Sequence, residues 1–253
     1  MTQLERNGTS IYYEVHGERG PVVLLSHGYS ATSQMWAGQM AALADYRSIV
    51  WDMRGHGRSD SPTEQEQYSE ALTVGDMAAL LDAVGAERAI IGGLSLGGYM
   101  SLAFHATLPA RTQALMLFDT GPGFRNDAAR EQWNRTANTR ADALFRDGLA
   151  ALGRSAEVRL SSHRSAAGLS LAARGMLAQF DSRIIDSLPE IQVPTLVLVG
   201  ANDQPFVAGT DYMARKIPGA AKVVIADAGH ASNIDQPELF NRAVLAFLAA
   251  VPA

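Results

Sequence analysis

The fold class predicted is α/β, with a largely parallel sheet covered on both faces, and two observations predict it. Short, nearly continuous apolar runs recur along the chain, as expected of strands buried on both sides. Longer stretches of helical periodicity separate them, which is how parallel strands are joined. Ser10 to Val15 alternates in character and reads as a strand. Val22-Val23-Leu24-Leu25 is a buried strand, Gln34 to Leu43 reads as a helix, and Ser48-Ile49-Val50-Trp51 is a strand again. Ala71 to Val84 carries Leu72, Met77, Leu80, Leu81 and Val84 at helical spacing. Arg88 to Gly92 is the next apolar strand, followed by a helical stretch from Tyr99 to Leu108. Ala114 to Phe118, Thr195 to Val199 and Lys222 to Ala226 complete the strands, and a helix runs from Pro237 to about Ala250. Nothing repeats at a fixed period.

One stretch breaks this rhythm. Between Gly121 and Leu188 no buried strand is visible, and Trp133, Leu144, Leu149, Leu171 and Phe180 are among apolar residues scattered through Ala, Arg and Asp. It reads as several helices inserted between two core strands. The expected organisation is therefore a core of residues 1–120 and 189–253 with a helical cap of residues 121–188 over one end of the sheet.

Composition narrows the function. The chain has 253 residues, enough for a large core, with 47% hydrophobic and 19% charged residues, as in globular proteins. A net charge of −5 without a Lys/Arg cluster argues against nucleic-acid binding. The absence of cysteine removes disulfides, thiol catalysis and zinc–thiolate sites together. Apolar runs are strand-sized, so no membrane span is expected. Met1 to Gly8 lacks the charged-then-apolar order of a signal peptide, so a cytoplasmic location is expected. The sequence is silent on oligomeric state.

The chemistry centres on Gly93-Leu94-Ser95-Leu96-Gly97, which lies between an apolar strand and a helix. A bare G-x-S-x-G is weak. At a strand-to-helix turn it is strong, because the turn must be sharp enough to project a serine Oγ clear of the sheet. Bulky neighbours two residues either side would clash there. A serine hydroxyl also needs a base, an acid to orient that base, and donors for an oxyanion.

His230 is the base expected, because it follows the last strand and precedes the final helix. His27, which ends a strand, is its rival; His105 and His163 fall on helical stretches, and His56 lies in a glycine turn. Asp203, just past a core strand, is the preferred acid, because strand-end loops hold the active residues of open α/β sheets. Asp119 also ends a core strand and is the alternative. Asp52 reads as the anchor of the Arg54-Gly55-His56-Gly57 turn. For the oxyanion, Gly28 allows the loop after Leu25 to approach the serine, and the N–H groups of Tyr29 and Leu96 form the donor pair. Phe124, Trp133 and Phe206, with Gly28, are the candidate substrate contacts. No metal or cofactor is expected.

These motifs resemble the α/β-hydrolase fold family over almost the full chain. The features present are His27-Gly28, the Asp52-x-Arg54-Gly55-x-Gly57-x-Ser59 loop, Gly93-x-Ser95-x-Gly97, Gly200-x-x-Asp203 and Gly229-His230. The order Ser95, Asp203, His230 is that family's nucleophile–acid–base order. The resemblance implies a mostly parallel eight-stranded sheet flanked by helices, with a helical cap after the sixth strand. A serine at position 95 sets the chain apart from the epoxide-hydrolase and haloalkane-dehalogenase branches, which carry Asp there. The function it implies is hydrolysis of a small carboxylic ester or lactone without a cofactor. Carbon–carbon bond hydrolysis of ring-cleavage products is the alternative, with Arg125 as a candidate carboxylate contact. A non-catalytic small-molecule receptor and a cofactor-free oxygenase are possible on the same scaffold.

Overall fold

The computed structural model describes residues 2–252. Its eight strands are β1 (Thr2–Arg6), β2 (Thr9–His16), β3 (Val22–Ser26), β4 (Arg47–Trp51), β5 (Ala89–Leu94), β6 (Thr112–Phe118), β7 (Thr195–Gly200) and β8 (Ala221–Ile225). They form one sheet in the order β1-β2-β4-β3-β5-β6-β7-β8. β2 pairs antiparallel with β1 and β4, and every other pairing is parallel. This is the mostly parallel, eight-stranded α/β-hydrolase architecture that the motifs implied.

Both faces of the sheet are covered, which explains the unbroken apolar runs. Along β3, Leu24 joins a core with Ile49, Met77, Ile91 and Phe104. Its neighbours Val23 and Leu25 join the opposite core with Trp36, Val50, Phe118 and Phe240. Strand side chains alternate, so two dry faces demand apolar residues at successive positions.

The main helices are α1 (Glu70–Ala83), α2 (Leu96–Thr107), α3 (Asp127–Asp147), α4 (Ala166–Ala172), α5 (Gln204–Lys216) and α6 (Pro237–Leu248). Side chains cap the N-termini of three of them: Ser69 for α1, Asn126 for α3 and Ser165 for α4, each accepting a backbone N–H of the first turn. Helices α3 and α4 belong to the insertion between β6 and β7, which holds helices and turns but no strand among the described residues.

Three local expectations differ from the structure. β1 went unread because it is an edge strand, mostly exposed, with no apolar run to mark it. Gln34 to Leu43 does not form one helix. It is a 3₁₀ turn (Ser33–Trp36) and a single α turn (Ala37–Met40), where buried Gln39 donates to the Asn233 carbonyl at 3.0 Å. His163 lies in a loop rather than on a helix, with Nδ1 accepting from the Gly57 N–H at 3.2 Å and Nε2 on the Ser30 carbonyl at 3.0 Å. No helix of the described residues is long and apolar enough to cross a membrane.

A buried ion pair ties the loop after β4 to α1. Arg54 is 1% exposed and donates to Asp76 through Nε at 2.6 Å and Nη2 at 3.0 Å. Asp76 also meets Arg6 at 2.9 Å. Asp76→Asn would leave the Arg54 charge buried without its counter-ion, so urea unfolding should register a loss of about 3–5 kcal/mol.

Candidate active site

The serine turn is built by steric exclusion. Ser95 has φ 55° and ψ −115°, an unfavourable conformation for a residue with a Cβ. A Cβ on Gly93 would collide with the backbone of Gly97, and one on Gly97 with the carbonyl of Ser26. Both glycines are therefore demanded by close approach of the helix to the sheet. The turn is then tied at two points. The Ser95 N–H donates to the Phe118 carbonyl at 2.9 Å, and the Thr120 hydroxyl donates to the Ser95 carbonyl at 2.6 Å.

The loops after β7 and β8 bring Asp203 and His230 together. His230 Nδ1 lies 2.8 Å from Asp203 Oδ2, with the histidine side chain 33% exposed and the aspartate 4%. Burial is the largest influence on His230 and pushes its pKa down. The hydrogen bond and charge of Asp203, with Asp119 and Glu157 adding to them, outweigh it, so the net shift is upward from the ordinary histidine value. Phe206 stacks on the imidazole, ring centroids 4.9 Å apart and planes 25° apart. Ser95 and His230 line the same cavity, and no hydrogen bond joins them among the described residues. Such contacts are often loose until a substrate is bound.

His27 is differently employed. Its Nδ1 donates to the Gly28 carbonyl at 2.7 Å, its Nε2 accepts the Met53 N–H at 2.9 Å, and burial pushes its pKa down to about 4. Asp52 accepts from the N–H groups of Ser33 and Arg58, which anchors the glycine turn. Asp119 is fully buried, at φ 46°, and holds two loops at once. Oδ1 accepts the Gly200 N–H at 2.8 Å, and Oδ2 accepts the Ser232 hydroxyl. Burial is the main reason its pKa is pushed up to about 7. It neighbours the Asp203–His230 pair without bonding to the imidazole.

Leu96 is the first residue of α2, so its N–H has no partner within the helix. The Tyr29 N–H likewise meets no protein acceptor among the described residues. Gly28 packs beside the serine: a Cβ there would sit 3.5 Å from Ser95 Cβ. That is ordinary contact, so sterics do not require glycine at this point, and Gly28 lines neither of the cavities that meet at Ser95.

Those two cavities share Ser95, Trp133, Leu177, Pro205 and Phe206. One, of about 390 Å³, is lined by aromatic and apolar groups including Leu96, Tyr99, Phe124 and Phe206. Trp133 lies 6.1 Å from Phe124 and 6.5 Å from Phe206, ring centre to ring centre. The other, of about 670 Å³, is more polar and includes Tyr29, Arg140, Arg154, Glu157, Asp203 and His230. Phe124, Trp133 and Phe206 all line the cavity that contains Ser95. Arg125 does not: it pairs with Asp186 on the surface. Sequence reasoning missed Glu157 and Gln179, both buried in the insertion, where no periodic signal separates a cavity residue from a packing one.

A strained serine at the carboxyl edge of a parallel sheet, opening a helix, is a recurrent device of hydrolytic α/β proteins. Residues 22–243 match the model of the alpha/beta hydrolase family, and the chain belongs to that family. It is 32% identical to 3-oxoadipate enol-lactonase 1 of Acinetobacter baylyi over 93% of this chain and 91% of that one. It is 29% identical to a putative 2-succinyl-6-hydroxy-2,4-cyclohexadiene-1-carboxylate synthase of Bacillus subtilis, over 90% of each. A thermophilic esterase from Thermogutta terrifontis, solved with malate bound, superposes with a TM-score of 0.86 at 29% identity, covering the whole of both chains.

Proposed function

We propose that this protein is a serine hydrolase that cleaves a small carboxylic ester or lactone through an acyl-enzyme. One observation carries the proposal: Ser95, on its strained turn, shares a cavity with an imidazole held at 2.8 Å by a buried carboxylate. The similarity to an enol-lactonase and an esterase supports the same chemistry.

In this mechanism Ser95 Oγ attacks the acyl carbon and its proton passes to His230 Nε2. The carbonyl oxygen becomes an oxyanion, received by the N–H groups of Leu96 and Tyr29. As the tetrahedral species collapses, the acyl–oxygen bond breaks and His230 returns the proton to the leaving alcohol. With a lactone, that alcohol remains attached to the acyl group. Water, deprotonated by His230, then adds to the acyl carbon, the acyl–Oγ bond breaks to release the acid, and His230 returns the proton to Ser95 Oγ. Asp203 accepts from Nδ1–H throughout, which fixes the tautomer and stabilises the imidazolium. Residues 121–188 act as a cap over a core of residues 1–120 and 189–253. Their Trp133 and Leu177 share the cavity walls with Phe206 of the core.

Stopped-flow hydrolysis of p-nitrophenyl acetate tests the proposal, with a panel of lactones beside it. A p-nitrophenol burst of about one equivalent, followed by steady turnover, is expected where deacylation limits the rate. Failure to turn over any ester or lactone would exclude this function and favour a receptor or carbon–carbon chemistry.

The pH profile has a definite sign. Only neutral His230 accepts a proton, so kcat/KM should rise with pH and then level off. The inflection should lie above the ordinary histidine value of about 6.5, since the carboxylates around His230 raise its pKa. A flat profile with chemistry rate-limiting would contradict a histidine base.

A further inference from the structure

We propose that Gln179 is a specificity residue, which selects an acyl group carrying a neutral hydrogen-bonding substituent such as a hydroxyl. This rests on the ester or lactone hydrolysis proposed above and names the substrate class for it.

Gln179 is 7% exposed and lines the aromatic cavity that contains Ser95. Its Oε1 has no hydrogen-bond partner among the described residues. Buried polar atoms are ordinarily paired, so an orphan carried by a cavity-lining side chain calls for a partner from outside the protein. The other polar side chains of this cavity, Ser95 aside, are already engaged. Tyr99 donates to Glu70 at 3.1 Å, Thr120 to the Ser95 carbonyl at 2.6 Å, and Trp133 Nε1–H to the Leu177 carbonyl at 2.8 Å.

The position of Gln179 is fixed rather than incidental. A π-helical turn (Ala173–Leu177) ends α4, and the chain then extends. Asn134 on α3 clamps the Gln179 backbone on both sides, accepting its N–H at 2.8 Å and donating to its carbonyl at 2.7 Å. Across the cavity wall, a Cβ on Gly123 would lie 2.9 Å from Gln179 Oε1, so glycine leaves the amide its space.

The chemistry of the two cavities decides which half of the substrate Gln179 meets. His230 must reach the leaving oxygen as general acid, and it lines the larger, polar cavity. The leaving group therefore lies on that side, and the acyl group enters the aromatic cavity. No charged side chain lines that cavity among the described residues, so a carboxylate there would be desolvated without a counter-ion. A hydroxyl or amide group is different, because its O–H or N–H can donate to Gln179 Oε1.

The test uses p-nitrophenyl esters of ω-hydroxyalkanoic acids of increasing length, each paired with the alkanoate of equal length. At one chain length the wild-type protein should prefer the hydroxylated ester in kcat/KM by about tenfold or more, as expected when a site built for a hydrogen bond loses its partner. Gln179→Leu, and the near-isosteric Gln179→Met should leucine impair folding, should abolish or invert that preference. Calorimetric titration of the same pairs into Ser95→Ala reads the preference without turnover. A preference in binding with no ester hydrolysed would retain Gln179 as the selecting residue and remove the hydrolase function. Pairs that neither kcat/KM in the wild type nor Kd in Ser95→Ala distinguishes would overturn the assignment, as would a preference that survives in both Gln179 variants.

Discussion

Ser95→Ala should lower kcat by about 10⁴- to 10⁶-fold on any ester the protein hydrolyses. The size follows from the role proposed for the side chain. Without Oγ there is no covalent intermediate, and His230 and Asp203 have no nucleophile to activate. What survives is the slower attack of water in a site that still offers two N–H donors. Binding should change little, because removing one hydroxyl oxygen leaves the aromatic walls intact. The loss should therefore fall on kcat far more than on KM. The backbone should hold its shape, since the bonds to Phe118 and Thr120 use main-chain atoms of residue 95. A fluorophosphonate probe gives an independent measure: mass spectrometry should place one adduct on Ser95 in the wild type and none in Ser95→Ala. Labelling that persists in the variant would show that another residue is the nucleophile.

Much of this was legible because the constraints are local. Gly93 and Gly97 are required by backbone contacts within a few residues of Ser95, so the pentapeptide carries its own geometry. The buried strands announce themselves because both sheet faces are dry. β1 was the reverse case. Its own signal was the Asn7-Gly8 pair, both at positive φ in the two-residue turn that joins Arg6 to Thr9, yet the strand it closes buries too little to show a pattern. Gln179 left no trace in the sequence. Its meaning depends on Asn134 and Gly123, each far along the chain, and on a wall formed only when the insertion folds back. Between Asp203 and Asp119 the sequence preferred Asp203 as the acid but kept Asp119 as the alternative. Asp119 directly follows β6 and Asp203 lies just past β7, and only the path of the β8 exit loop decides which carboxylate meets the imidazole.

That choice yields the second large effect. Asp203→Asn should reduce kcat by about 10⁴-fold, by analogy with serine proteases, while Asp119→Asn should stay within about tenfold of wild type. The asymmetry comes from what each carboxylate holds. Asp203 Oδ2 accepts from the imidazole Nδ1, and an asparagine that presents its NH₂ there favours the wrong tautomer. Asp119 makes no bond to His230; it braces the Gly200 N–H and the Ser232 hydroxyl. Asparagine can keep both contacts, with Oδ1 accepting from Gly200 and Nδ2 donating to the Ser232 oxygen. It also resembles the protonated acid that burial favours at Asp119, whose pKa is pushed up to about 7. One readout separates a brace from a bystander. The Asp119 charge helps to raise the pKa of His230, so Asp119→Asn should move the kcat/KM inflection to lower pH. Stability carries the same signature. A folded pKa above the ordinary 3.8 gives stability that is full below that value and lost as pH rises through about 7. Urea midpoints should therefore decline less between pH 4 and pH 8 in Asp119→Asn than in the wild type. Should Asp119→Asn cost 10⁴-fold and Asp203→Asn little, the acid would lie after β6, and the Asp203–His230 contact would have to give way during turnover.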